Sequence, residues 1–172
     1  MVVQLEGRAR RVGDNINTDY IISSTRKRAT LDESVLKQYL LETVDPAFAA
    51  SVQPGDLLVA GRNFGCGSAM EVAATVILAA GIRAVLARSF SRTFYRNAVN
   101  NGLMPIQCET TSIEEGHRLT IELSGGEVTV TNISTSTVMP GAPLPGIMLD
   151  ILQAGGLVPY LRRHGGFGSV RL

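Results

Sequence analysis

Thiols and imidazoles are scarce in this chain. Its 172 residues hold two cysteines, Cys66 and Cys108, and two histidines, His117 and His164. No CxxC, no HxxxH and no ligand grouping at zinc spacing can be written from them. An iron–sulfur cluster usually takes three or four thiolates, so no metal is expected on this chain and any metal chemistry has to come from a partner. Two cysteines make no disulfide framework, and a reducing cytoplasm is the expected compartment. Excess charge is lacking too. Sixteen Lys and Arg against 15 Asp and Glu leave a net charge of +1, which offers no electrostatic case for nucleic acid or an anionic membrane. Long apolar runs are absent: Val72 to Ile82 is interrupted by Thr75 and far too short to span a bilayer. Met1 to Arg11 carries Glu6, Arg8, Arg10 and Arg11 and lacks the apolar core of a secretory signal.

Glycine, by contrast, is plentiful, with 18 residues, as expected of a chain with many tight turns and places where backbone approaches a ligand. The 45% hydrophobic content is that of a globular protein, and the length fits one domain. That domain is expected over residues 1–163, with a Gly-rich mobile tail over 164–172.

Val2 to Leu5 reads as an edge strand, and Gly13 to Asp19 and Ser23 to Thr30 as polar loops. Thr30 and Glu33 fit a capping box for a helix that puts Leu31, Val35, Leu36, Tyr39 and Leu40 on one face. Pro54-Gly55 turns into a strand over Leu57 to Ala60. A glycine-bearing loop follows, then a helix from about Ser68 to Ala80, a strand over Ile82 to Ala87, a helix over Ser91 to Asn101 and a strand over Met104 to Cys108. Strands alternating with helices predict an α/β fold with a parallel βαβαβ core. Leu119 to Leu123 and Glu127 to Thr131 alternate about Ser124-Gly125-Gly126 as a β-hairpin, and a C-terminal helix runs from about Pro145 to Ala154.

Gly65-Cys66-Gly67-Ser68, between strand and helix, can offer backbone N–H groups to a carboxylate or phosphate. Equally, its glycines can serve close packing alone. The third glycine of a dinucleotide fingerprint and the Gly-Lys-Ser/Thr of a P-loop are both missing.

In order and spacing, Gly13-Asp14-Asn15-Ile16-Asn17-Thr18-Asp19, Pro54-Gly55-Asp56 and Gly61-Arg62-Asn63-Phe64-Gly65-Cys66-Gly67-Ser68 resemble the small subunit of 3-isopropylmalate dehydratase. Ser89-Phe90-Ser91-Arg92, Phe94-Tyr95-Arg96-Asn97-Ala98 and Ala154-Gly155-Gly156-Leu157 extend the likeness, which runs from about Leu5 to Leu161. It takes in homoaconitase and related hydro-lyases and the swivelling domain of aconitase. The resemblance implies a half-enzyme. A large subunit carries a [4Fe–4S] cluster whose free iron binds substrate, and the small subunit closes over it with anion-binding groups and a serine base. Asp19 matches an active-site carboxylate; a cap in a tight turn is the other role open to it. Gly65 and Gly67 are expected to bind substrate through the backbone of their loop, and Cys66 is expected to shape the loop rather than hold iron.

The match breaks at the active loop. Where the family reads Gly-x-Gly-Ser-Ser-Arg-Glu-His, this chain reads Gly65-Cys66-Gly67-Ser68-Ala69-Met70-Glu71-Val72. The serine base aligns with Ala69 and the carboxylate-gripping arginine with Met70, and neither can do that work. Ser68 is the nearest remaining hydroxyl, so Ser68 and Asp19 are the catalytic candidates. The loop that helps choose the substrate's side group in relatives is here the basic run Arg26-Lys27-Arg28. It is expected to contact a small carboxylate substrate, with a solvated charge run at a subunit rim as the other possibility. Arg92, Arg96 and Asn97 form either an exposed polar face or a contact with the large subunit, and both histidines are expected in surface loops. The function these features imply is the small subunit of a heteromeric hydro-lyase acting on a hydroxy di- or tricarboxylate. Homoaconitase-, dimethylmalate- and maleate-hydratase-type subunits, a non-catalytic carboxylate-binding paralogue and a free-standing anion-binding domain are the rivals.

Overall fold

The computed structural model describes residues 2–166. A single sheet of seven strands runs in the order β4-β3-β2-β1-β5-β6-β7. It is built from β1 (Val2–Arg11), β2 (Leu57–Val59), β3 (Ala84–Ala87), β4 (Met104–Gln107), β5 (Arg118–Ser124), β6 (Glu127–Asn132) and β7 (Thr137–Gly141). The parallel half, β1 to β4, and the antiparallel half, β5 to β7, meet at β1. The sheet curls until its edges touch: Cys108 bridges Gly141, and the Ala142 N–H donates to the Gln107 carbonyl at 2.8 Å.

Strands of the parallel half alternate their side chains between two cores. Leu58, Ala60, Val85 and Ala87 face one, with residues from the short helices α1 (Thr18–Ile21), α3 (Glu33–Leu36) and α4 (Phe48–Ser51) and from α5 (Val72–Ala79). Leu57, Val59, Ala84 and Leu86 face the other, which the antiparallel strands share with α7 (Gly146–Ala154) and α8 (Leu157–His164). Helix α6 (Arg92–Asn101) serves both, with Phe94 and Ala98 in the first core and Val99 in the second. The short apolar strands β2 and β3, of three and four residues and buried on both faces, are what a helix-covered parallel sheet requires.

The α/β class, the parallel core, the hairpin and the C-terminal helix α7 are as the sequence predicts. Several details differ. β1 is a central strand reaching Arg11, because Arg8 and Arg10 are not solvent charges that end it. Arg8 makes a two-pronged contact with the buried Asp56 at 3.1 and 2.7 Å. Arg10, 5% exposed, reaches the same carboxylate at 3.5 Å, Glu115 at 2.7 Å and the Ser51 hydroxyl at 2.8 Å. The capping box does not form. Asp32, accepting from the Ser34 N–H at 2.9 Å, caps a helix of only four residues that leads into a 3₁₀ turn, and Leu31 is 82% exposed. Thr30 instead accepts from the Asp32 N–H at 3.0 Å. Strand β7 and helix α8 are additional. Helix α8 carries ordered structure through His164, where the tail was expected to begin, and residues 167–172 of that tail lie outside the described residues.

Candidate functional site

The loop after β2 is pinned at its start by an aromatic plug. Phe64 is fully buried, edge-on to Phe94 at 5.0 Å and to Phe90 at 6.1 Å. Its N–H donates to the Ser89 carbonyl at 3.0 Å, and its carbonyl accepts from the Ser91 N–H at 2.9 Å. Gly65 then turns the chain at φ +75°, a region open to glycine and costly for other residues. Its N–H donates to the Ile16 carbonyl at 2.8 Å, and its carbonyl accepts from the Ser91 hydroxyl at 2.7 Å. That hydroxyl also caps α6 through the Phe94 N–H at 3.2 Å.

The other wall is the polar segment ahead of α1. The Thr18 N–H donates to the Cys66 carbonyl and the Thr18 hydroxyl to the Ser68 carbonyl, both at 2.9 Å. Gly67, at φ +93°, lies so close to Asn17 that a Cβ there would sit 2.5 Å from the Asn17 Oδ1. That same oxygen accepts from the Asp19 N–H at 2.9 Å and caps α1, so the turn is capped by Asn17 and not by Asp19. Asp19 stands one residue from the Thr18–Ser68 contact, half-buried, with one carboxylate oxygen accepting from the Ser24 hydroxyl at 2.6 Å.

The outer rim of the loop is left unsatisfied. Gly67, Ser68 and Ala69 are exposed. Among the described residues their three N–H groups donate to no protein acceptor, and the Ser68 hydroxyl has no partner. Exposed N–H groups without a protein acceptor are open to an anionic ligand. Met70 turns inward, 8% exposed, and joins the first core. The sequence places the helix start at Ser68, but α5 starts at Val72. The two left-handed glycines and the inward anchor at Met70 hold residues 65–71 in an irregular turn.

The basic run is not a loop either. Residues Ser24–Ala29 form helix α2, capped by the Ser23 hydroxyl, which accepts from the Arg26 N–H at 3.3 Å. A helix rotates each successive side chain by about 100°, so the three cations part company. Arg26 turns to Glu42, donating at 2.9 and 3.0 Å, and lies over the Tyr39 ring at 3.7 Å. Lys27 reaches toward the site loop, its ammonium against the Met70 sulfur. Arg28 points to solvent. Of the three residues expected to bind substrate, Arg26 is therefore already committed to a carboxylate and a ring of its own chain. Replacing it with alanine is expected to lower the urea unfolding midpoint slightly and to leave carboxylate affinity within about twofold, measured by titration calorimetry on the assembled enzyme.

Elsewhere, Arg92 and Arg96 are exposed, and Asn97 offers its carbonyl to the Asn101 amide at 2.8 Å. His117 is half-buried rather than a surface residue, its Nδ1 within 2.9 Å of the Asn132 amide and 3.2 Å of the Glu114 N–H. His164 lies in α8, its Nδ1 2.9 Å from the Tyr160 carbonyl oxygen. Beside the loop, Asp14 accepts from the Arg62 N–H at 2.6 Å and faces Arg88 at 3.3 Å. The Arg62 N–H first, and Arg88 after it, hold the Asp14 carboxyl below its usual range. Burial, with Glu109 adding, pushes the Cys108 thiol up to about 12, far from the thiolate a metal would need. No group of three or more His, Cys, Asp or Glu among the described residues could hold a metal ion. No helix among them is long and apolar enough to cross a membrane. Sequence reasoning did not single out Thr18, Ser91 and Phe94, which brace the loop. The serine three residues before Phe94 was a readable capping signal; the Arg26–Glu42 pair, between elements, left none.

The aconitase C-terminal domain family matches residues 4–111. The chain is 43% identical over 161 residues to the isopropylmalate/citramalate isomerase small subunit of Methanocaldococcus jannaschii, covering 92% of this chain and 94% of that one. It is 43% identical over 160 residues to the methanogen homoaconitase small subunit of the same organism (93% and 92% covered). It is 41% identical over 169 residues to 3-isopropylmalate dehydratase small subunit 1 of Thermotoga maritima (96% and 99%). A crystal structure of 3-isopropylmalate dehydratase from M. jannaschii superposes with a TM-score of 0.89 at 39% identity, covering 95% of this chain and 96% of that one.

Proposed function

The chain belongs to the aconitase C-terminal domain family, as a small subunit of the 3-isopropylmalate dehydratase type, and from that premise we propose that it forms the carboxylate-binding face of a site completed by a larger chain. The enzyme is a heteromeric hydro-lyase of the aconitase family. The substrate we assign is a hydroxy di- or tricarboxylate, and the reaction is reversible loss or addition of water at a C–C bond. The observation that carries this reading is the set of three unclaimed N–H groups at Gly67, Ser68 and Ala69 together with the free Ser68 hydroxyl, on a loop held by Thr18, the residue before Asp19.

In this reading Gly65 and Gly67 give the rim its shape, and the N–H groups hold a substrate carboxylate. Ser68 supplies the hydroxyl nearest the reacting carbon, and Asp19, tethered by Ser24, is the carboxylate available to it. Cys66 and Cys108 are too few to hold a [4Fe–4S] cluster, and the Cys108 thiol is buried. We therefore assign the cluster to the large subunit and route no step of this chain's chemistry through it. Two free thiols agree with a cytoplasmic location. A non-catalytic carboxylate-binding subunit has one observation in its favour: the exposed Ala69 puts no proton acceptor on the rim.

The test is to purify the chain with its large subunit and assay hydration of a panel of unsaturated dicarboxylates. Turnover is expected from the complex and not from this chain alone. Ser68→Ala is expected to lower kcat by about 10²–10⁴-fold, the usual loss on removing a positioned acid–base group. A stable complex that turns over none of the panel would establish the non-catalytic reading.

A further inference from the structure

Helix α6 begins with charge of the unfavourable sign. Arg92 is its first residue, Arg96 lies about one turn on, and no acidic side chain stands in the first turn. The N-terminal end of a helix carries positive partial charge, and like charges four residues apart on a helix repel. Among the described residues neither guanidinium has an ion-pair or hydrogen-bond partner that offsets this. Both side chains instead line one cleft of about 510 Å³, together with Phe90, Tyr95 and Gln107. That volume is in the range of small-molecule sites. No carboxylate lines the cleft, and the Tyr95 phenol and the Gln107 amide are also without a partner among the described residues. Burial raises the Tyr95 pKa, so the phenol remains a protonated donor. The apolar part of the lining is aromatic. Phe90 meets Tyr95 edge to face at 5.8 Å and stacks on the buried Phe94 at 6.2 Å, so its ring is held on a fixed support.

We propose that this cleft binds a small organic anion bearing a flat aromatic ring, with the ring against Phe90 and Tyr95 and the anionic group on Arg92 and Arg96. Guanidinium groups bind carboxylate and phosphate oxygens in pairs, and aromatic side chains take a further ring in offset or edge-on contact. An anion held there neutralises the charge that α6 leaves uncompensated. The lining shares no residue with the 65–71 loop, and a hydroxy di- or tricarboxylate, which has no ring, meets only half of what the cleft offers.

Phenyl phosphate joins the two features and serves as the probe; inorganic phosphate lacks the ring and phenol lacks the charge. The chain has four tyrosines, Tyr20, Tyr39, Tyr95 and Tyr160, so labelling with 3-fluorotyrosine gives one ¹⁹F signal for each, assigned by single changes to phenylalanine. Tyr95 reports the cleft, Tyr20, next to Asp19 in the chain, reports the substrate loop, and Tyr39 and Tyr160 serve as references. The labelled chain, alone and assembled with an unlabelled large subunit, is titrated at constant ionic strength. The Tyr95 signal is expected to move saturably with phenyl phosphate, about tenfold more tightly than with inorganic phosphate or phenol, while the references stay still. Arg92→Gln and Arg96→Gln are each expected to weaken phenyl phosphate by about tenfold, the scale of one hydrogen bond to a charged group. Unchanged Tyr39 and Tyr160 signals in each variant report an intact fold. A Tyr95 signal that stays still overturns the proposal, as does one that follows inorganic phosphate equally well, the mark of an adventitious ion only. Arginine variants that bind phenyl phosphate like the parent also overturn it. So does a Tyr95 signal that shifts when the large subunit is added and then ignores phenyl phosphate, because the cleft is then a contact between subunits. Citrate is expected to move Tyr20, so failure of the carboxylate reading of the loop shows at Tyr20 and failure of the cleft at Tyr95.

Discussion

Gly65→Ala is expected to destabilise the protein by on the order of 3 kcal/mol, a left-handed residue and an overpacked core acting together. The added Cβ would lie 2.2 Å from the Phe94 ring, on a backbone at φ +75° that alanine adopts reluctantly. Phe94 cannot yield cheaply, because Phe64 meets it edge-on at 5.0 Å and Phe90 stacks on it at 6.2 Å. The damage should spread to function. Moving Gly65 breaks its bonds to Ile16 and the Ser91 hydroxyl, which present the 67–69 rim. Urea denaturation measures the first effect and citrate affinity the second. Gly146→Ala is the control: nothing lies within 4 Å of its Cβ position, and stability should hold or rise slightly. Equal stability for Gly65→Ala and the parent would mean that the loop does not depend on this turn.

Asp56→Ala is expected to cost about 3–5 kcal/mol, the loss found when one partner of a buried charge cluster is removed. Asp56 is 4% exposed and holds Arg8 and Arg10 together with the Gln53 N–H at 2.9 Å. Without it the buried Arg10 Nη1, which has no hydrogen-bond partner, would lose the carboxylate at 3.5 Å. Arg8 and Arg10 belong to β1, so the loss falls where the parallel and antiparallel halves join. The same carboxylate gives an acid limit. Burial opposes its charge, yet the Arg8 hydrogen bond, the Gln53 N–H and the two guanidinium charges prevail and hold its pKa below the usual aspartate value. A depressed folded pKa means that this stability is complete above the unfolded value of about 3.9 and drains away as pH falls through the lower folded one. The parent should therefore lose stability below about pH 4, and Asp56→Ala should show a flatter loss there. A parallel acid profile for both proteins would place the acid sensitivity elsewhere.

Local chemistry was legible where it was self-contained. The alternation of short apolar strands with helices between residues 57 and 107, and the serine cap and glycine stop of α6, are written within a few residues each. β1 runs beyond its sequence-expected end because Arg8 and Arg10, which break the apolar pattern, pair with Asp56, more than forty residues away. The helix starts at Val72 and not at Ser68 because the glycines of the preceding loop bend toward Phe94 and Asn17, contacts no local window contains. Within the basic run, three adjacent cations looked equivalent. A six-residue helix and one glutamate on a distant turn made them different.

Sequence alone therefore determined that this chain has too few soft ligands for a cluster, that its core is a parallel α/β unit, and that its loop lacks the hydroxyl at position 69 and the guanidinium at position 70. Those are matters of inventory and short-range periodicity, which the order of residues contains outright. Tertiary structure decided which N–H groups remain free, which cation of the basic run lies against Met70 and which is neutralised. These depend on the direction each side chain takes and on charges brought together from remote parts of the chain, and both exist only once the chain has folded.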